Sequence, residues 1–302
     1  MCSMRITVIS GGTPGARFVR GLLQHLDGRG AAEVTVVANT GDDLSLWGLR
    51  VQPDVDALLA ELGGPPADAS RVVAGELAAL DLHPQWFPVS DREVATHLAR
   101  TAWLGQGATP TQVTARLAER AGLPANVRIL PMSDVPVETH AVLDGPDGQQ
   151  AVHVQQWRHE LGSPPAVRFV VAGMDRAAAA PGVLDALRSA DVVLLTPSDP
   201  VLSVGIVLGV PGVRDALRGT SAPVVGVSPD PAPLGASLAA VGIEPTSAGI
   251  AGLYQDLLAG WLAPATATPA RGGRWTTRAV DLDRPAEQVA ADALDLALGL
   301  RP

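Results

Sequence analysis

Two pairs of carboxylates stand close together early in the chain. Asp42 and Asp43 follow the apolar run at 34–38, and Asp54 and Asp56 open a helix-like stretch at 57–62. Hard oxygen donors at this density suit Mg²⁺, which takes one or two carboxylates and leaves other positions to water and phosphate. A phosphate site is suggested upstream, where Ser10-Gly11-Gly12-Thr13-Pro14-Gly15 separates the apolar run at 6–9 from a helix-like segment at 17–26. A strand, glycine loop and helix in this order bring backbone N–H groups and a helix dipole to an anion. Plain structural roles fit the same residues. The glycines suit a tight turn, Asp42 and Asp43 suit a turn, and Asp54 and Asp56 suit an N-cap and a first-turn acid. The loop is neither G-x-G-x-x-G nor a P-loop, and no lysine occurs anywhere in the chain.

Three further segments carry candidate groups. In 90–97, Ser90 and Glu93 have the spacing of a capping box, which leaves Arg92 as an anion contact. His97 is then an acid, a base or a hydrogen-bonded scaffold residue. Ser133 and Asp134 lie past the strand-like run at 127–130, and Ser198 and Asp199 lie past the run at 192–195.

The elements that position these groups repeat as strand, polar loop and helix, with strands at 6–9, 34–38, 127–130, 192–195 and 224–227. That order predicts an α/β fold, a doubly wound, mostly parallel Rossmann-like sheet whose loops share one ligand edge. One α/β domain is expected over 1–302, with a helical insertion at about 63–125 and a β-hairpin excursion at about 135–160. The insertion holds helices at 71–80, 91–104 and 110–121; the excursion pairs 135–143 with 151–157 about the turn 145–148. Helices at 247–262 and 285–298 complete the chain.

Composition narrows the function. With 47% hydrophobic residues a sizeable core is available. A lone Cys2 allows neither an intramolecular disulfide nor a cysteine metal cluster. The net charge of −9, with scattered arginines, argues against nucleic acid. No run approaches a membrane span and no signal-peptide pattern opens the chain, so a cytoplasmic location is expected. A nicotinamide dehydrogenase is disfavoured because the glycine spacing is wrong and Glu33 begins the second strand rather than ending it.

The ordered motifs SGGTPGARFVRGL (10–22), NTGDD (39–43), GLRVQPDVD (48–56), SDREVATHLART (90–101), LPMSD (130–134), TPSDPVLSVGIVLGVPGVRDAL (196–217) and APVVGVSP (222–229) resemble the 2-phospho-L-lactate transferase (CofD-like) family of coenzyme F420 biosynthesis. The resemblance implies transfer of a phospholactyl, phosphoenolpyruvyl or phosphoglyceryl group from a guanylyl-activated donor to the hydroxyl of the deazaflavin Fo, with release of GMP. It implies Mg²⁺ on Asp42 and Asp54, catalytic roles for Asp42 and Asp56, and a homodimer. Donor phosphates fall to Gly11, Gly12, Thr13, Gly15, Ser198 and Asp199; the acceptor falls to Asp56, Arg92, His97, Ser133 and Asp134. The chain departs from the family pattern at Pro14, Pro88, Val135 and Asp199, and at the shortened stretches GGPPADASRVV and SPDPAPLGAS. These departures leave a second reading, a paralogue that binds a nucleotide or deazaflavin without turnover.

Overall fold

The computed structural model describes residues 3–63, 70–267 and 273–301. Cys2, most of the loop at 63–69 and part of the linker before the last helix lie outside the described residues. The chain opens with β1 (Met4–Ser10), α1 (Gly12–Leu26) and β2 (Ala32–Ala38). A short antiparallel pair, β3 (Leu44–Leu46) and β4 (Leu49–Val51), leads into α2 (Pro53–Leu62). Helices α3 (Val72–Ala79), α4 (Asp91–Gly105) and α5 (Pro110–Arg120) precede β5 (Val127–Pro131). Then come β6 (Glu138–Gly145), β7 (Gly148–His153), α6 (Val154–His159) and β8 (Arg168–Ala172). The second half runs α7 (Val183–Ser189), β9 (Val192–Leu195), α8 (Val204–Gly209), α9 (Val213–Gly219), β10 (Val224–Val227) and α10 (Gly235–Ala239). It ends with α11 (Ser247–Gly252), β11 (Gly260–Pro264), β12 (Thr276–Val280) and α12 (Ala286–Gly299).

Seven strands form one parallel sheet in the order β12-β11-β10-β9-β1-β2-β5. The expected doubly wound α/β sheet is therefore present. From β1 the chain builds outward through β2 to β5, then crosses back to β9 on the other side of β1. The reversal makes the carboxyl edge between β1 and β9 a topological switch point, where open α/β sheets bind their ligands. The central strands are largely apolar because both faces are covered. Ile6, Val8, Ile9 and all four residues of β9 are buried. One face packs on α1, α2, α5 and α12 through Val19, Leu22, Leu58, Val113 and Leu294. The other packs on α7, α8, α9 and α11 through Leu187, Val207, Leu217 and Ile250.

Four segments differ from the sequence expectation. The stretch 247–262 is not one helix: α11 ends at Gly252, and Gly260 begins β11. A Cβ at Gly260 would lie 2.9 Å from the Leu296 side chain, so the sheet and α12 approach closely there. The edge strand β12 has too many exposed residues to show an apolar run. In the excursion, β6 pairs with both β7 and β8, making three strands. The strand expected over 151–157 stops at His153, whose ring Nδ1 accepts the Gln155 N–H and starts α6.

The α1–α12 contact depends on Gly21, whose added Cβ would fall 2.4 Å from the Ala286 carbonyl carbon. Helix propensity alone favours alanine there by about 1 kcal/mol. The backbone clash reverses the sign, so Gly21→Ala is expected to lower stability by about 1–3 kcal/mol. Urea unfolding midpoints measure it, and an unchanged or raised midpoint would contradict the packing.

Candidate active site

Loops after β1, β2 and β9 meet the start of α2 at the switch-point edge, and Asn39 ties them together. It is fully buried directly past β2. Its Nδ2 donates to Asp54 Oδ2 at 2.9 Å and reaches Asp42 Oδ1 and the Leu202 carbonyl, each at 3.4 Å. Its Oδ1 accepts the Gly41 N–H at 2.9 Å, which shapes the acidic turn. Gln155 on α6 donates to Asp42 Oδ2 at 2.6 Å, and Ser203 Oγ donates to Asp54 Oδ2 at 3.4 Å. Asp54 is not the N-cap of α2. Gln52 holds that position, and Pro53 opens the helix, where its missing N–H costs nothing.

Burial raises the pKa of Asp42 well above the ordinary carboxyl value, and the Asp54 and Asp43 charges add to the rise while Arg158 opposes it. Asp54 is raised as well, by burial, against the Asn39 hydrogen bond, the Arg158 charge and the Gly12 N–H. Two adjacent buried carboxyls resist ionising together, so burial and their mutual repulsion favour a shared proton over two full charges. A divalent cation can take the place of that proton, and the oxygen donor set suits Mg²⁺. Among the described residues no group of three or more His, Cys, Asp and Glu side chains could hold a metal. A cation on Asp42 and Asp54 would therefore complete its shell with water and phosphate oxygens.

The glycine loop serves close approach first. Ser198 Oγ accepts the Gly11 N–H at 3.1 Å and donates back to the Gly11 carbonyl. A Cβ at Gly11 would fall 2.3 Å from Asp54 Oδ2, and one at Gly15 would fall 2.3 Å from Ser198 Oγ. Gly12 takes φ +65°, open to glycine, and turns the chain into α1. Pro14 stands in the first helical turn, where its absent N–H has no intrahelical acceptor to lose. Thr13 is exposed and borders a cleft of about 310 Å³, whose wall also includes Asp56, Phe87, His97, Gln155 and His159.

In that cleft Asp56 is held by both ends of Arg100, with Nη1 on Oδ2 at 3.0 Å and Nη2 on Oδ1. Arg100 Nη1 also lies 3.2 Å from His97 Nδ1. Burial lowers the His97 pKa, which leaves the neutral ring as an acceptor for Arg100. On the far side Asp199 pairs with Arg158 at 2.8 Å and accepts from Ser237 Oγ at 3.3 Å, in the shortened stretch after β10.

The structure thus brings together Gly11, Gly12, Thr13, Gly15, Asp42, Asp54, Asp56, His97, Ser198 and Asp199. Three other candidates stand apart from this group. Arg92 is exposed outside the cleft lining. Asp134 accepts the Thr111 N–H and hydroxyl at the start of α5. Ser133 is buried, with its Oγ accepting the Val135 N–H at 3.0 Å. Sequence reasoning missed Asn39, Arg100, Gln155 and Arg158. Asn39 is in a recognised motif; Gln155 was hidden by reading 151–157 as a strand, and Arg158 follows directly after it in the same excursion.

An α/β crevice with buried acids beside a helix N-terminus defines a phosphate-handling class of site. The model of the 2-phospho-L-lactate transferase CofD family matches residues 6–244, and this chain belongs to that family. It is a transferase of coenzyme F420 biosynthesis. Among its relatives, a phosphoenolpyruvate transferase of Streptomyces avermitilis is 46% identical, with 86% of this chain and 85% of that one covered. Proteins of the same name from Thermobifida fusca and Streptomyces coelicolor are 40% and 42% identical, each over 99% of both chains. The crystal structure of a upf0052-family protein from Bacillus halodurans shares the fold, with TM-score 0.66, 16% identity and coverage of 97% of this chain and 99% of that one.

His153 links the excursion to the acidic loop. Its Nε2 lies 3.2 Å from the Asp43 carbonyl while Nδ1 caps α6. Burial, then the neighbouring His140, lowers its pKa to about 4. The unfolded chain takes up this proton near pH 6.5 and the folded chain refuses it until about 4, so stability is lost as pH falls through that window. Asp43, raised by burial to about 7, acts in the opposite sense. His153→Gln is therefore expected to lose less stability than the parent between pH 6.5 and 4 in urea titrations. Equal losses in both proteins would remove His153 as the source.

Proposed function

We propose that the protein transfers a phosphoenolpyruvyl group from a guanylyl-activated donor to the hydroxyl of the deazaflavin Fo, releasing GMP, with Mg²⁺ as cofactor. The observation that carries the reading is the Asn39 junction, which puts Asp42 and Asp54 side by side against the N-terminus of α1. The relatives at 40–46% identity, named phosphoenolpyruvate transferases, favour phosphoenolpyruvate over phospholactate or phosphoglycerate as the transferred acid. Reaction in the cytoplasm by a homodimer completes the reading.

In the transfer, the acceptor oxygen forms a bond to the phosphorus that carries the enolpyruvyl group. The bond from that phosphorus to the bridging oxygen breaks, and GMP leaves with the electron pair. Such transfers require positioning and charge neutralisation more than a strong base. Asp56, its orientation set by Arg100, receives the hydrogen bond of the acceptor hydroxyl and takes its proton as the new bond forms, passing it on to solvent. Phe87 and Pro88 supply apolar wall to the acceptor cleft. The Thr13 amide, at the positive end of α1, faces the donor phosphates, while the Gly12 N–H stays on Asp54. Asp42 and Asp54 would hold Mg²⁺, which when bound neutralises phosphate charge.

GMP release from guanylyl-activated phosphoenolpyruvate and Fo, followed by chromatography, tests the function. Release should require both substrates and Mg²⁺. Asp54→Asn should slow it by roughly 10³-fold, equivalent to about 4 kcal/mol of lost transition-state stabilisation. Tight binding of GDP and Fo without release from any phospho-acid donor would favour the non-catalytic paralogue instead.

A further inference from the structure

We propose that Arg158 is a phosphate-binding residue of this crevice, with Asp199 as its anchor. The proposal rests on the reading that the crevice takes a phosphate-bearing nucleotide. A dense acid cluster cannot receive a polyanion unless positive charge is supplied locally. Asp42, Asp54 and Asp199 all border the site, so the question is which cation remains available.

The nearby arginines differ in how fully they are engaged. Arg100 places both terminal nitrogens on Asp56. Arg50 places Nη1 on Glu138 at 2.9 Å and Nη2 on Asp43 at 3.5 Å. Arg158 spends Nη2 alone on Asp199, at 2.8 Å, and its Nη1 and Nε have no hydrogen-bond partner among the described residues. Its side chain stays 26% exposed, while that of Asp199 is 8% exposed. The inner group is the anchor and the outer one faces the solvent.

Asp199 is itself rigid. Its Oδ1 accepts the Val201 and Leu202 N–H groups at 2.8 and 2.9 Å. On α6, Gln155 lies three residues before Arg158 and bonds Asp42 at 2.6 Å, so one helix face presents both side chains to the crevice. The Arg158 charge is felt at both Asp42 and Asp54, which fits this placement. A guanidinium with half its planar fork free is suited to the oxygens of a nucleoside diphosphate.

Calorimetry with GDP and Mg²⁺ on the full chain tests the assignment with three variants. Arg158→Gln is expected to weaken GDP binding on the order of 10- to 100-fold. Arg158→Lys keeps the charge without the fork and should fall between. The decisive protein is Arg158→Gln with Asp199→Asn, in which no unpaired carboxylate remains. If Arg158 binds phosphate, the double variant stays weak. If Arg158 only neutralises Asp199, the double variant regains parental affinity and the proposal is overturned, as it is if Arg158→Gln alone binds normally. Failure of the unmodified protein to bind GDP would instead overturn the nucleotide reading on which the proposal rests.

Discussion

The structure is organised around two carboxyl groups that must share one small dry space. Burying an isolated charge costs several kcal/mol, and burying two of like sign beside each other adds their repulsion. Asp42 and Asp54 tolerate this because Asn39, Gln155, Ser203 and the Gly12 N–H surround them with donors and because a proton can remain between them. The same surroundings prepare a place for a cation. Each donor comes from a different element, so the acid pair can be in position only when the start of α1, the loop after β2, α2, α6 and the loop after β9 have all assembled.

That dependence explains the glycines and small hydroxyl residues near the edge. Gly11 lies against Asp54, Gly15 against three hydroxyl groups, and Gly41 against Ile206, each at a distance no added Cβ could occupy without movement. Ser198 closes the arrangement by fastening both backbone groups of Gly11. Conformational freedom matters at Gly12, whereas closeness matters at the other three. The departure at Pro14 is mild for the same reason: the helix loses no bond at that position.

The excursion of β6, β7, α6 and β8 stands outside the main sheet, yet it supplies Gln155 and Arg158 to the site. His153 holds it to the acidic loop through the Asp43 carbonyl while starting α6 through Nδ1. The replacement at Asp199 is likewise intelligible only in three dimensions. A carboxylate near a diphosphate is repulsive in isolation, but here it is neutralised by Arg158, 41 residues away in the chain.

The sequence by itself determined the architecture. Parallel strands buried on both faces read as near-continuous apolar runs, and each strand end was marked by glycine, proline or acids, so β1, β2, β5, β9 and β10 were legible together with the edge on which their loops gather. The acids, the glycine loop and the family were legible for the same reason, because they sit in contiguous motifs. Tertiary structure alone decided the rest. Whether 260–264 became strand depended on α12 packing over Gly260, and whether 154–159 became helix depended on a cap from His153. The partners of the acids were hidden because hydrogen bonds such as Gln155 to Asp42 join residues 113 apart. Local pattern reports which face of an element is apolar; it carries no record of which distant donor will satisfy a buried charge.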